Sequence, residues 1–512
     1  MSSSKSITKS ASIIGSATFA SRILGFLRDV VIAKFFGTSM FAQAFIVAFR
    51  IPNLMRDLIG EGATNSAFVP VFTEWLNKFG KKEFWNLTRV IFNILIIVLG
   101  VITILGITFA PAIVKAIAPG FIKDAAKLEL TIQLTRLMFP YLLLIGLAAY
   151  GMGVLNTLRH FTAPAIGPAL LNISIITCAF IFTNNIYGLG IGVLIGGALQ
   201  VLVQMPVLGF YGMRFKPQWR MKHEGAKRIG KLLIPRALGG GVYQINMFVS
   251  TILASLSFIV GDGAVAGLYY ASRILQFPLA IFGIAVAQAA LPSMSAHAVV
   301  KEVGLLKETI LFSLRSIFFV LIPSTLGLMV LAKPIVHVLF ERGEFSAYST
   351  QITSYALLCY AVGLCAYGGI KILVNAFYSM QDTMTPVKVA SFSLILNIVL
   401  NLMLMWPLKI GGLALGASIA GIVNFIILYL LLKRKIGSLG LRKIFPAFLK
   451  MIVASLIMAY VCFSFVQRLH ARLFYGTNME KVLALIFIIV AGTVVYIAVG
   501  YALGLRGIRE KK

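Results

Sequence analysis

Between Phe161 and Met213 the chain carries no Lys, Arg, Asp or Glu. A helix needs about 20 apolar residues to cross a hydrocarbon core, so this stretch is too long for one span. The turn residues Thr183, Asn184 and Asn185 divide it into two. Further clean runs follow the same rule, among them Val90 to Val114, Leu137 to Leu158, Ala237 to Gly261, Val389 to Leu408, Ile410 to Leu432 and Val482 to Leu505. With two spans before residue 80, the pattern predicts fourteen helices and an all-α polytopic membrane protein. A hydrophobic share of 59% with only 12% charged residues excludes an ordinary soluble domain.

The 46 Lys and Arg against 16 Asp and Glu give a net charge of +30. The excess sits in short loops: Lys78, Lys81, Lys82 and Arg89; Arg214 to Lys231; Lys433 to Lys443. That is the distribution of cytoplasmic loops facing anionic lipid, so membrane lipids rather than nucleic acid are the expected partners, with both termini cytoplasmic. The loop holding Arg468 and Arg472 falls outside and is the exception. Cys178, Cys359, Cys365 and Cys462 lie in apolar runs without metal-ligand spacing, and neither a metal nor a cofactor is expected. The start, MSSSKSITKSASIIG, lacks an apolar run with a small-residue cleavage site and reads as a retained cytoplasmic segment.

Internal repetition is the next signal. Ala67 to Pro70 recurs as Ala289 to Pro292, Pro111-Ala-Ile-Val as Pro334-Ile-Val-His, and Tyr141 and Asn156 as Tyr360 and Asn375. The common shift of about 220 residues predicts two six-helix lobes as parallel repeats, residues 1–220 and 221–440, followed by two added helices in 441–512. Parallel repeats favour a site between lobes near the midplane.

Charge within the spans is concentrated at one place. Arg22, Arg28 and Asp29 interrupt the first helix, and Arg50, Arg56 and Asp57 the second. An arginine at mid-bilayer depth costs about 2.5–3.5 kcal/mol unless it meets water, protein or an anion. Residues six apart on a helix point about 120° from one another, so each arginine pair needs a kink to converge, and Gly25 and Pro52 lie where kinks would serve. Arg22 and Asp29, seven apart, share a face. Arg273 in Tyr269-Tyr-Ala-Ser-Arg273 occupies nearly the place of Arg50 in the second repeat. Guanidinium forks bind phosphate oxygens bidentately, and such a group suits a diphosphate in a cationic interlobe cavity better than a set of snorkelling side chains.

The segments SRILGFLRD, AFRIPNLMRDLIGEGA, AFVPVFTE, LYYASRILQFP and NAFYSMQDTMTPVKVA resemble the signatures of the MurJ (MviN) family of lipid II flippases, in the multidrug/oligosaccharidyl-lipid/polysaccharide exporter superfamily. The resemblance implies a two-lobed, inverted-V bundle like that of the MATE exporters, which moves undecaprenyl-diphosphate-linked disaccharide-pentapeptide to the periplasmic leaflet of the inner membrane. It implies cavity roles for Arg22, Arg28, Arg56 and Arg273, with Asp29, Arg50 and Asn53 nearby, a gate position for Glu61, and a lipid-tail groove on the last two helices. Gln43, Ser272 and Gln276 stand where family members often carry acids. Asn397 and Asn401, at i and i+4, could offer carbonyl oxygens to a monovalent cation, although interhelical hydrogen bonding is the plainer reading. The alternatives are a flippase for another undecaprenyl-linked glycan or a drug exporter, which would use carboxylates. A membrane glycosyltransferase would need a catalytic carboxylate near the periplasmic face, and a scaffold of the cell-wall machinery has no sequence support beyond size.

Overall fold

The computed structural model describes residues 2–55, 67–213, 222–440 and 445–505, and these are almost entirely helical. Two compact units divide between Ser255 and Leu256. The first contains α1 (Ser2–Phe36), α2 (Met40–Met55), α3 (Val69–Thr108), α4 (Ala110–Ile117), α5 (Ala125–Met138), α6 (Tyr141–Thr157), α7 (Thr162–Ile181), α8 (Tyr187–Phe210) and α9 (Glu224–Ser255). The second contains α10 (Ser257–Val260), α11 (Ala264–Pro278), α12 (Ala285–Val299), α13 (Val303–Phe340), α14 (Ala347–Ala361), α15 (Leu364–Ser379), α16 (Met384–Ile436), α17 (Phe445–Arg468), α18 (His470–Phe474) and α19 (Asn478–Ala502).

Among the described residues, nine helical segments are long and apolar enough to cross a membrane, and α14 with α15, bent by 45°, makes a tenth. The 53-residue α16 is too long for one span of about 30 Å and breaks at Lys409, so it supplies two. This is a polytopic membrane protein, and its helices are compatible with the fourteen expected. Outward faces are apolar, as lipid requires: Ile97, Val101 and Ile104 on α3 and Phe487, Val490 and Val494 on α19 are exposed. Inside, small residues let backbones approach. A Cβ added at Gly192 or Gly196 of α8 would come within 2.8 Å of the Cα of Ile175 or Leu171 on α7, so neither position admits a side chain.

The repeat is visible in the backbone of each unit. Left-handed residues at Gly80, Arg159, Asn184 and Gly212 recur at Lys301, Gln381, Lys409 and Gly437, 221 to 225 residues later. Asn184 divides the charge-free stretch where its turn residues predict. The structure also corrects one landmark. Tyr141 packs where a Cβ on Gly197 would stand 2.7 Å from its ring, and the matching contact in the second unit joins Gly421 to Tyr367, at 2.5 Å. The backbone shift of 221 to 225 residues puts Tyr141 opposite positions 362–366, so Tyr360, on α14, is offset from it, and Tyr367 lies just beyond on α15. The contact boundary at Ser255 also differs from the repeat boundary near 220. Helix α9, which the repeat assigns to the second lobe, is tied into the first unit by Arg228 to Glu74 at 2.8 Å and by the Gly120 amide to Ser255 Oγ at 3.1 Å.

The motif around Asp382 has a structural use. Asp382 Oδ1 accepts from the Thr385 amide at 3.0 Å, and its Oδ2 accepts from Thr385 Oγ1 at 2.9 Å and Lys435 Nζ at 2.5 Å, which fastens the two ends of α16 together. The Lys435 ammonium is the largest of the influences that bring the carboxyl pKa down to about 2. A depressed carboxylate contributes stability that is present above its unfolded pKa, about 3.9, and is lost as pH falls through the folded value. Asp382→Asn is expected to lower the unfolding temperature at pH 7, and the gap to the parent chain should close between about pH 4 and pH 2 in thermal scans. Lys409, at φ 50° and ψ −129°, holds a conformation that glycine adopts freely. Lys409→Gly should stabilise the protein by about 1 kcal/mol, read as a raised unfolding temperature.

Candidate functional site

Helix α1 runs without interruption through Gly25. Arg22 is exposed, whereas Arg28 is 6% and Asp29 1% exposed. Gly25 lies against α7, where a Cβ would stand 3.6 Å from Asn172 Nδ2.

Arg28 is held from two sides. Its Nε and Nη2 donate to Asp29 Oδ1 at 3.1 and 2.8 Å, and its Nη1 donates to Asn172 Oδ1 at 3.0 Å. Adjacent residues on a helix do not face one another, so the arginine stem must fold back to bring its fork onto the neighbouring carboxylate. Asn172 is itself oriented, because its Nδ2 donates to the Ser21 carbonyl at 3.2 Å. The carboxylate that spacing matches with Arg22 thus accepts two bonds from Arg28.

On α2, Arg50 is half-buried and turns toward α9. Its Nη1 donates to the Met247 carbonyl at 2.7 Å and to Thr251 Oγ1, and the threonine hydroxyl donates to the same carbonyl at 2.7 Å. Asn53 is half-buried one residue beyond Pro52, and α2 continues through that proline to Met55. Arg56, Asp57 and Glu61 lie outside the described residues. Gln43 is 2% exposed, and its Nε2 donates to the Thr38 carbonyl at 3.2 Å, a bond that an ionised acid at this position has no proton to make.

In the second unit, Arg273 is half-buried on α11. Its Nη2 donates to the Tyr269 hydroxyl at 3.0 Å, with the guanidinium carbon 4.8 Å from the ring centroid. Ser272 Oγ donates to the Tyr269 carbonyl at 2.8 Å, and Gln276 is exposed. Pro278 closes α11, and a π-helical turn over Leu279–Ile284 follows, as a missing backbone donor allows. On α16, Asn397 and Asn401 are buried. The Asn401 amide fills the space beside Gly416, where a Cβ would stand 2.3 Å from its Oδ1, and neither of its polar atoms has a hydrogen-bond partner among the described residues. The interhelical bond expected of Asn401 is therefore not made. Among the described residues no group of three or more His, Cys, Asp or Glu could hold a metal ion.

Sequence reasoning missed Asn172 and Thr251. The available signal for the first was a carboxamide in a charge-free helix; for the second there was none. Arg28→Ala would remove two charge-assisted bonds from a buried carboxylate, at a cost of about 3–5 kcal/mol. The double variant Arg28→Ala with Asp29→Asn should recover most of that loss in thermal unfolding of the purified protein.

The model of the lipid II flippase MurJ family matches residues 32–484. A probable lipid II flippase MurJ of Vibrio cholerae is 37% identical over 437 residues, 83% of each chain. The lipid II flippase MurJ of Burkholderia cenocepacia is 35% identical over 454 residues, covering 86% of this chain and 87% of that one. A solved structure of lipid II flippase MurJ in an inward closed conformation superposes with a TM-score of 0.80 at 29% identity, covering 97% of this chain and 99% of that one. An inward-facing multidrug MATE transporter of the MOP superfamily, at 17% identity and a TM-score of 0.65, covers 82% of this chain and 95% of its own and shares the fold. With its family segments on a polytopic helical bundle, the chain belongs to the MurJ family of lipid II flippases.

Proposed function

We propose that this chain carries lipid II, the undecaprenyl-diphosphate-linked disaccharide-pentapeptide, from the cytoplasmic to the periplasmic leaflet of the bacterial inner membrane by alternating access. The observation that carries the reading is an exposed Arg22 and a buried Arg28 on one apolar helix, in a chain most of whose later spans keep a charge-free core. The diphosphate is held by cations from both halves of the chain: Arg22, Arg28 and Arg56 from the first, Arg273 from the second. Asp29, Arg50 and Asn53 border that site, and Glu61 belongs to a gate. The lobes are residues 1–220 and 221–440, and the two added helices in 441–512, α17 and α19, carry the lipid tail. Apolar faces on α17 and α19, with Leu456, Tyr460, Leu483 and Phe487 exposed, support the last assignment.

No bond is made or broken, so the cycle asks for no catalytic residue, metal or cofactor. Binding drives closure only as far as the diphosphate is held more tightly in one state than in the other. A drug exporter for cations would present a carboxylate, and the buried Asp29 is already matched by Arg28. Both termini are proposed to be cytoplasmic, in keeping with the basic loops.

Arg22 and Arg273 give cleaner tests than Arg28, because neither is fully buried. Arg22→Ala and Arg273→Ala should each fail to restore growth to a bacterial strain depleted of its own flippase, with membrane levels unchanged by immunoblot. Normal growth of both would overturn the anion site.

A further inference from the structure

Asn172 has no place in the signature segments, yet it is the residue outside α1 that aims Arg28. Its side chain is 7% exposed and uses both ends: the carbonyl accepts from Arg28 Nη1, and the amide donates to the Ser21 carbonyl one turn before Gly25. A carboxamide is the smallest neutral group that can do both, since a carboxylate has no donor and a hydroxyl has less reach. With the Asp29 bonds, the guanidinium is held on two edges by an acid and an amide. This is also how a guanidinium would be held by a phosphate and a neutral neighbour.

We propose that Asp29 and Asn172 form the resting cradle of Arg28, that the diphosphate draws the arginine from Asp29, and that Asn172 is a positioning residue that keeps it aimed during the exchange. The proposal rests on the reading of Arg28 as a diphosphate ligand. The neutrality of Asn172 is its working property. With a neutral residue at 172 the arginine can change partners; a carboxylate added there would hold it more tightly. Asp29 is an acid in direct contact with Arg28, and Arg22 and Lys34, each six residues away and exposed, are the nearest cations in sequence.

The test uses the full-length protein in lipid nanodiscs with lipid II as the probe. Asn172→Asp should weaken lipid II binding by about tenfold without lowering the unfolding temperature, since the fold gains an ion pair while the site loses its available cation. Adding Asp29→Asn restores a single carboxylate and should return affinity to within about twofold of the parent, a rescue that a purely structural role would not show. Should Asn172→Asp not fold, Asn172→Ser is the second variant, expected to bind about threefold more weakly at an unchanged unfolding temperature. Parent-like binding by the folded Asp variant, or a loss that Asp29→Asn fails to rescue, overturns the proposal; for the Ser variant, parent-like binding does so. Arg28→Gln separates the two levels: if it binds lipid II like the parent, the diphosphate reading itself falls, whereas if it loses binding while Asn172→Asp does not, only the cradle falls.

Discussion

A guanidinium enclosed by apolar helices has to be neutralised by something that moves with it, and in α1 that partner is the next residue in the chain. The Arg28–Asp29 pair is buried, bidentate on one oxygen, and buttressed from α7 by a carboxamide. Desolvating the two charges is expensive, and their attraction offsets that cost only when the remaining donors are also met. The packing of α1 on α7 and the absence of a break at Gly25 both serve that geometry. Arg50 shows the same principle with a different acceptor, a helix carbonyl and a hydroxyl on α9 in place of a carboxylate.

Much of the fold was legible because lipid punishes any span that is not apolar. The charge-free stretch with its asparagine turn reads directly as α7 and α8, and the 53-residue α16 divides at Lys409, within the gap between two expected spans. Registration within the repeat was less legible. Tyr360 offered a sequence match on α14, while the ring that packs against Gly421 is that of Tyr367 on α15. Composition marks where helices run but says little about which face meets which neighbour.

The candidate site divides along the same line. That arginines gather in the first two helices is a fact of sequence, but their environments are not. Spacing alone does not say that Arg22 is exposed while Arg28, six residues on, is buried against α7. Asn172 was invisible for want of any local oddity beyond one amide, since its role depends on a contact 144 residues away. Asp382 was visible as part of a motif and opaque as to purpose, because a cap and a clasp leave the same letters as a binding residue.

The close approach of α7 and α8 has a mechanical meaning. With the Cα atoms of Leu171 and Ile175 seated against Gly196 and Gly192, the two backbones meet almost directly there, which leaves the pair little room to slide. It behaves as a stiff plate. Asn172 is fixed to that plate next to Leu171, and whatever bends during a transport cycle, the reference point from which Arg28 is aimed does not bend with it.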